Sequence, residues 1–231
     1  MPTASSARST PPAPPSAEAA WDALARDFLK QYLRLSPVSA TSAGDHRYDA
    51  TWPDVTIEGD ARYRAFLVDT QAKLSKLPRG ELDLQRQIDA QILENEVKSG
   101  LFELDELKPH EQNPLAYTEL LGEGLDPLVN RSFGTGASRL ASLLGRLDGI
   151  AAVVATAKTR LARPTKVSTE TAIKQNFGLI QLVESELATR FPEGGQALAS
   201  SAKRAVVALR DLQRFLEHDL LARSDSSFRL G

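Results

Sequence analysis

Ala137-Ser138-Arg139-Leu140-Ala141-Ser142-Leu143-Leu144-Gly145-Arg146-Leu147-Asp148-Gly149-Ile150-Ala151-Ala152-Val153-Val154-Ala155-Thr156-Ala157-Lys158-Thr159-Arg160-Leu161-Ala162 is the stretch whose reading decides the fold. Leu140, Leu144, Leu147, Ala151, Val154 and Leu161 recur as a near-heptad, and Pro164 closes the run. That spacing predicts one long packed helix. Gly145 and Gly149, one turn apart, predict a face where a neighbour approaches closely, as in ordinary soluble helix packing. The most apolar part, Gly149 to Ala157, is too short and too Ala-rich to be expected to span a bilayer.

The same periodicity extends in both directions. Downstream, Ser168 is expected to cap a helix to about Arg190, with Ile173, Phe177, Ile180, Val183 and Leu187 inward, ended by Phe191-Pro192-Glu193-Gly194-Gly195. Leu198, Ala202, Ala205, Leu209, Leu212, Leu216 and Leu220 mark the last helix, after which Arg223 to Gly231 is expected to find no partner in this chain. Upstream, Trp21, Leu24, Ala25, Phe28, Tyr32 and Leu35 form a first helix, and Ser36-Pro37 with Gly44 brackets a short second one, Val38 to Ala43. Thr56 caps a third, carrying Tyr63, Phe66, Leu67, Thr70, Leu74 and Leu77, which Pro78 stops. Asp83 starts a fourth, with Leu84, Ile88, Ile92, Val97, Leu101 and Leu104 as its apolar residues and Ser99-Gly100 as a point where it can kink. Tyr117, Leu120, Leu121, Leu125, Leu128 and Val129 make a fifth, weakened by Gly122 and Gly124. No strand alternation occurs, so the expected fold class is all-α, a bundle-like array of about seven amphipathic helices.

Composition narrows the function. With 42% hydrophobic residues the chain can bury a sizeable core, and 28 basic against 30 acidic residues leave no electrostatic footprint for nucleic acid. The absence of cysteine removes disulfides, thiolate metal sites and a Cys nucleophile. Residues 1–20, rich in Pro, Ser and Ala, are expected to be a disordered tail without the basic and apolar regions of a secretory signal, and residues 21–231 to form one helical region.

Few residues carry candidate chemistry. Asp45, His46 and Asp49 place two carboxylates and an imidazole beside Tyr48, enough for part of a metal site or a general-base dyad. Asp and His after a helix-stopping Gly also commonly fix a loop through local hydrogen bonds, so a loop-fixing or cleft-lining role is the reading for Asp45, His46, Tyr48 and Asp49. Tyr117 is a further cleft-lining candidate. Glu170, read in a first helical turn, answers the helix dipole. Zinc needs two histidines one helical turn apart with a glutamate, whereas the only histidines are His46, His110 and His218, and His218-Asp219-Leu220-Leu221-Ala222 lacks both the Glu and the second His. No catalytic residue, metal ligand or cofactor site is therefore assigned. Gly122, Gly124, Gly134 and Gly136 lack the strand and Lys of a phosphate loop, and Ser224 to Ser227 lack a matched base.

Taken in order, Phe28 to Asp49, Asn113-Pro114 with Tyr117, Pro164 to Ile173, and Leu220 to Arg223 running into Phe228-Arg229-Leu230-Gly231 resemble the bacterial domain-of-unknown-function family 885 over roughly Trp21 to Gly231. The resemblance implies a zinc-dependent peptidase whose metal-binding helix, of the form His-Glu-x-x-x-Gly-His-His, lies in a C-terminal half outside this chain. It implies zinc and a peptide substrate for the full-length protein, periplasmic or secreted placement, and a missing C-terminal half as the partner of an exposed apolar surface. On this reading the chain is a truncated, N-terminal half supplying shell and one wall of the substrate cleft. The alternative is a self-standing helical protein-interaction module.

Overall fold

The computed structural model describes residues 16–225. The predicted tail falls outside these residues up to position 15. The first helix, α1 (Ala17–Leu35), begins before Trp21, because the Ser16 hydroxyl accepts from the Ala19 amide and Ala17 buries itself beside Trp21. Then come α2 (Pro37–Ser42), a 3₁₀ turn at His46–Tyr48, α3 (Ile57–Ser75) and α4 (Leu84–Phe102), which runs on as a π turn over Glu103–Leu107. α5 (Pro109–Gln112) and α6 (Leu115–Asn130) lead into α7 (Gly136–Arg160). α8 (Lys166–Gln181) passes through a second π turn into α9 (Leu187–Arg190), and α10 (Gly195–Arg214) through a third, Phe215–Leu220, into α11 (Leu221–Arg223). No strand forms among the described residues, and the all-α expectation holds.

Two hydrophobic clusters organise these helices. Trp21 and Phe28 of α1, Phe66, Leu67 and Leu74 of α3, and Ala90, Leu93 and Val97 of α4 make one. Leu121, Leu125 and Leu128 of α6, Leu143, Leu147 and Ile150 of α7, and Leu209 and Leu212 of α10 build the larger one, with α8 alongside. α7 is long and apolar enough to cross a membrane by length and composition alone, a test that a buried core helix passes as well. Its Leu143, Leu147, Ile150 and Val154 are nevertheless core side chains, and its middle carries the charges Arg146 and Asp148.

Several local expectations are corrected. Leu84, Ile88 and Ile92 of α4 are exposed, by 73%, 46% and 62%, while Ala90, Leu93 and Val97 face α3. The small residues face inward because the two helices approach closely: a Cβ on Gly100 would lie 2.9 Å from a Leu67 methyl, so Gly100 serves packing, and α4 runs through it without a break to Phe102. Phe177 of α8 is likewise exposed, its inward place taken by Asn176, whose Nδ2 donates to the Leu209 carbonyl at 2.9 Å and to Gln213 Oε1 at 2.7 Å. The cap of α8 is Thr165, whose hydroxyl accepts from the Ser168 amide. Ser36 caps α2 with no side-chain hydrogen bond. Finally, the start of the C-terminal tail does find partners: the Lys166 amide donates to the Asp225 carbonyl at 2.7 Å, and the Ser224 and Thr169 hydroxyls pair at 2.8 Å. The Phe228-Arg229-Leu230-Gly231 motif lies outside the described residues.

Candidate functional site

The segment between α2 and α3 crosses from one cluster to the other, and Gly145 and Gly149 of α7 make room for it. A Cβ on Gly145 would lie 2.7 Å from the Ala50 carbonyl oxygen, and one on Gly149 2.5 Å from the Trp52 ring. The close neighbour predicted from these glycines is therefore a loop. Trp52 is fixed there by its indole N–H, which donates to the Arg146 carbonyl at 2.8 Å, and by the Arg146 guanidinium over its ring.

Arg146 is fully buried. Its guanidinium donates to the Gly124 carbonyl and to Thr41 Oγ1 at 2.7 Å; Thr41 Oγ1 donates to Asp49 Oδ1 at 2.6 Å, and Asp49 Oδ2 faces His46 Nδ1 at 2.9 Å. The His46 ring stacks on Phe133, centroids 3.9 Å apart. Burial pushes the guanidinium down to about 10, opposed by the Asp49 charge, so it stays cationic at neutral pH. His46 and Asp49 thus come together as the sequence suggests, but as the outer end of a buried tether. Asp45 pairs with Arg47 at 2.6 Å, where the guanidinium's hydrogen bond holds its carboxyl down at about 2, and Tyr48 lies under the same Arg47. Glu170 stands apart on α8, exposed, 3.9 Å from Lys166; with Thr165 as the cap it is beyond the first turn, which corrects the helix-dipole reading.

A second network lies across the molecule. His110 Nδ1 faces Asp60 Oδ1 at 2.9 Å, and Arg160 donates to Asp60 Oδ2 and to the Val55 carbonyl, both at 2.7 Å. The hydroxyl of the buried Tyr117 donates to the His110 carbonyl at 2.9 Å. Burial pushes the Tyr117 phenol above its ordinary value. Burial alone would raise the Asp60 carboxyl too, yet the hydrogen bonds from His110 and Arg160 hold it below the usual range. The unfolded chain therefore takes up this proton first as pH falls, and the stabilisation present above the ordinary carboxylate range is lost as pH drops through the folded value. Urea unfolding at pH 3, 5 and 7 is expected to show an acid loss of stability that Asp60→Asn reduces.

Between the two clusters this network borders a cleft of 260 Å³ whose walls include Leu35, Ser36, Val55, Tyr63, Glu103, Leu104 and Leu120 as well as Asp60 and His110. A larger groove, 570 Å³, runs between α9 and α10, but it is mainly aliphatic; of its three charged residues Glu184 and Arg210 pair at 2.7 Å, which leaves Lys203 alone among the described residues. Convergent polar groups make the smaller cleft the candidate site. Sequence reasoning named Tyr117 and missed Asp60, His110, Arg160 and Glu103. Among the described residues no group of three or more His, Asp or Glu side chains is placed to hold a metal. The two imidazole–carboxylate pairs do not fit zinc, since they lie in separate networks, each with a single His and with its Asp committed to a second partner, Thr41 or Arg160, short of the three or four ligands zinc takes.

The family profile described as bacterial protein of unknown function (DUF885) matches residues 37–231. Among solved structures, one of a candidate lipoprotein of unknown function from Shewanella oneidensis is similar, with a TM-score of 0.63 and 23% identity over 87% of this chain. The matched region spans 39% of that longer chain. No curated protein matches.

Proposed function

This chain belongs to the bacterial DUF885 family, and from that premise we propose that it forms the helical shell and one wall of a substrate cleft in a zinc-peptidase-type hydrolase. The observation that carries the reading is the share of the similar solved structure that this fold occupies, 39%, which supports a shell working against further polypeptide. Two features of the molecule agree with it. The cleft between the clusters is walled by apolar side chains with a few polar groups, the usual make-up of a binding surface. Leu84, Ile88, Ile92 and Phe102 also project from α4 into solvent along one side of the helix, a surface suited to being covered. The zinc that the resemblance implies does not fit the described side chains, so no step is routed through it and the reacting groups are assigned to the partner segment. Placement outside the cytoplasm is supported by the description of the similar structure as a candidate lipoprotein.

The test is reconstitution. The chain is mixed with a polypeptide covering the remaining length of a full-length family member, and the product is sized by light scattering. A one-to-one complex is expected. A stable monomer that ignores the added segment overturns the reading in favour of an independent interaction module.

A further inference from the structure

We propose that the cleft between the two clusters binds a primary ammonium group carried next to a small apolar group, with Glu103 as its countercharge and His110 and Tyr63 as the groups that orient it. The inference rests on the cleft being a ligand surface, as proposed above, but not on catalytic groups arriving from elsewhere.

Charge selects the ligand. The ionised groups lining the cleft are Asp54, Asp60, Glu103 and Arg62. Arg62 is paired with Asp54, and Asp60 is answered by Arg160 and His110. Glu103 is left with no ion pair or side-chain hydrogen bond among the described residues. It lies close enough to Tyr63 to act on the phenol electrostatically. The uncompensated charge of the cleft is therefore negative and sits beside an aromatic ring, an arrangement that favours a cation.

Hydrogen bonding selects the same ligand. A carboxylate only accepts, so the contact with Asp60 places a His110 proton on Nδ1, and in the tautomer that carries its proton there Nε2 is an acceptor. The Tyr63 hydroxyl likewise has no hydrogen-bond partner among the described residues. An ammonium offers three donors, enough for Glu103, Nε2 and the phenol oxygen. Leu35, Leu104 and Leu120 form the apolar wall, and the volume of 260 Å³ admits one aromatic or branched aliphatic group.

The backbone is irregular where these groups meet. α4 loses its regular hydrogen-bond register in the π turn that starts at Glu103, and Lys108, φ 47°, is the non-glycine residue with positive φ among those described. Pro109 then starts the short helix that presents His110. Departures of this kind cost free energy and concentrate at functional sites. Here they bring Glu103 and His110 to one cavity.

The ammonium can belong to a free amine or to the N-terminus of a peptide, and the experiment separates these. The chain is titrated with phenethylamine and with the tripeptide Phe-Gly-Gly, each alongside its N-acetyl form, and followed by two-dimensional NMR. Saturable shifts at His110, Tyr63 and Leu104 are expected with at least one ammonium compound at up to about 10 mM, the range of weak ligands. Whichever of the two binds more tightly identifies the source. Acetylation is expected to abolish the effect, and Glu103→Gln, at an exposed position where folding is not at stake, to weaken it about tenfold or more. Equal binding of the acetylated forms, binding unchanged in Glu103→Gln, or no saturable shift overturns the proposal. Amine binding without complex formation in the reconstitution experiment contradicts only the shell reading, and the reverse result contradicts only this one.

Discussion

Arg146→Ala is expected to lower the free energy of unfolding by about 3–5 kcal/mol, since a core cavity and several unpaired buried polar groups are created together. The guanidinium is fully buried in the middle of α7 and touches three other parts of the chain: the Gly124 carbonyl of α6, Thr41 of α2, and the ring of Trp52. Removing it leaves Asp49 without its nearby cation, the Gly124 carbonyl without its donor, and a cavity under Trp52. Each of these is costly alone, since a buried polar group without a partner costs about 1–3 kcal/mol. Arg146→Met, which keeps most of the volume and removes the buried charge, is expected to cost clearly less. Urea unfolding of the two variants against the parent, with m-values checked for constancy, measures the difference. Equal losses would mean that the hydrogen bonds, and not the filled space, dominate the tether.

Two glycine substitutions are expected to act in opposite directions. Within a helix Ala is favoured over Gly by roughly 0.5–1 kcal/mol, so helix propensity alone predicts that both stabilise. At Gly178 of α8 nothing lies within 4 Å of an added Cβ, and Gly178→Ala should gain about that amount. At Gly149 of α7 the added Cβ would meet Trp52 at 2.5 and 2.9 Å. The indole cannot step aside without breaking its hydrogen bond to the Arg146 carbonyl. Overpacking of this kind costs about 1–3 kcal/mol and outweighs the helical gain, so Gly149→Ala should destabilise. Thermal melts of the two variants settle the signs, and stabilisation by Gly149→Ala would show that the loop through Trp52 is more yielding than its contacts imply.

What could be read from the sequence was whatever repeats over short distances. α7 and α10 announce themselves because their apolar residues recur along one helix, and Thr56, Asp83 and Gly44 mark helix ends by local backbone chemistry. The His46–Asp49 pair was legible for the same reason, being three residues apart. The face of α4 was not. Its large aliphatics Leu84, Ile88 and Ile92 outscore Ala90 and Gly100 on hydrophobicity, but close approach to α3 favours the small residues, and no single-helix pattern reveals the partner's distance. The candidate cleft was hidden more deeply. Asp60 meets His110 across 50 positions and Arg160 across 100, and Arg146 reaches Thr41 across 105. Such contacts exist only once the helices are packed.

The central claim, that this chain is a cleft-forming shell whose reacting groups come from elsewhere in a family member, is tested most directly by peptide hydrolysis. An unlabelled peptide mixture is incubated with the chain alone, with the remaining length of a full-length family member alone, and with the two combined, and cleavage is followed by mass spectrometry. Cleavage in the combined sample, absent from the chain by itself, is the predicted result. Cleavage by the purified chain alone, abolished by His110→Gln or His46→Ala, would contradict the account and place the chemistry within the residues described.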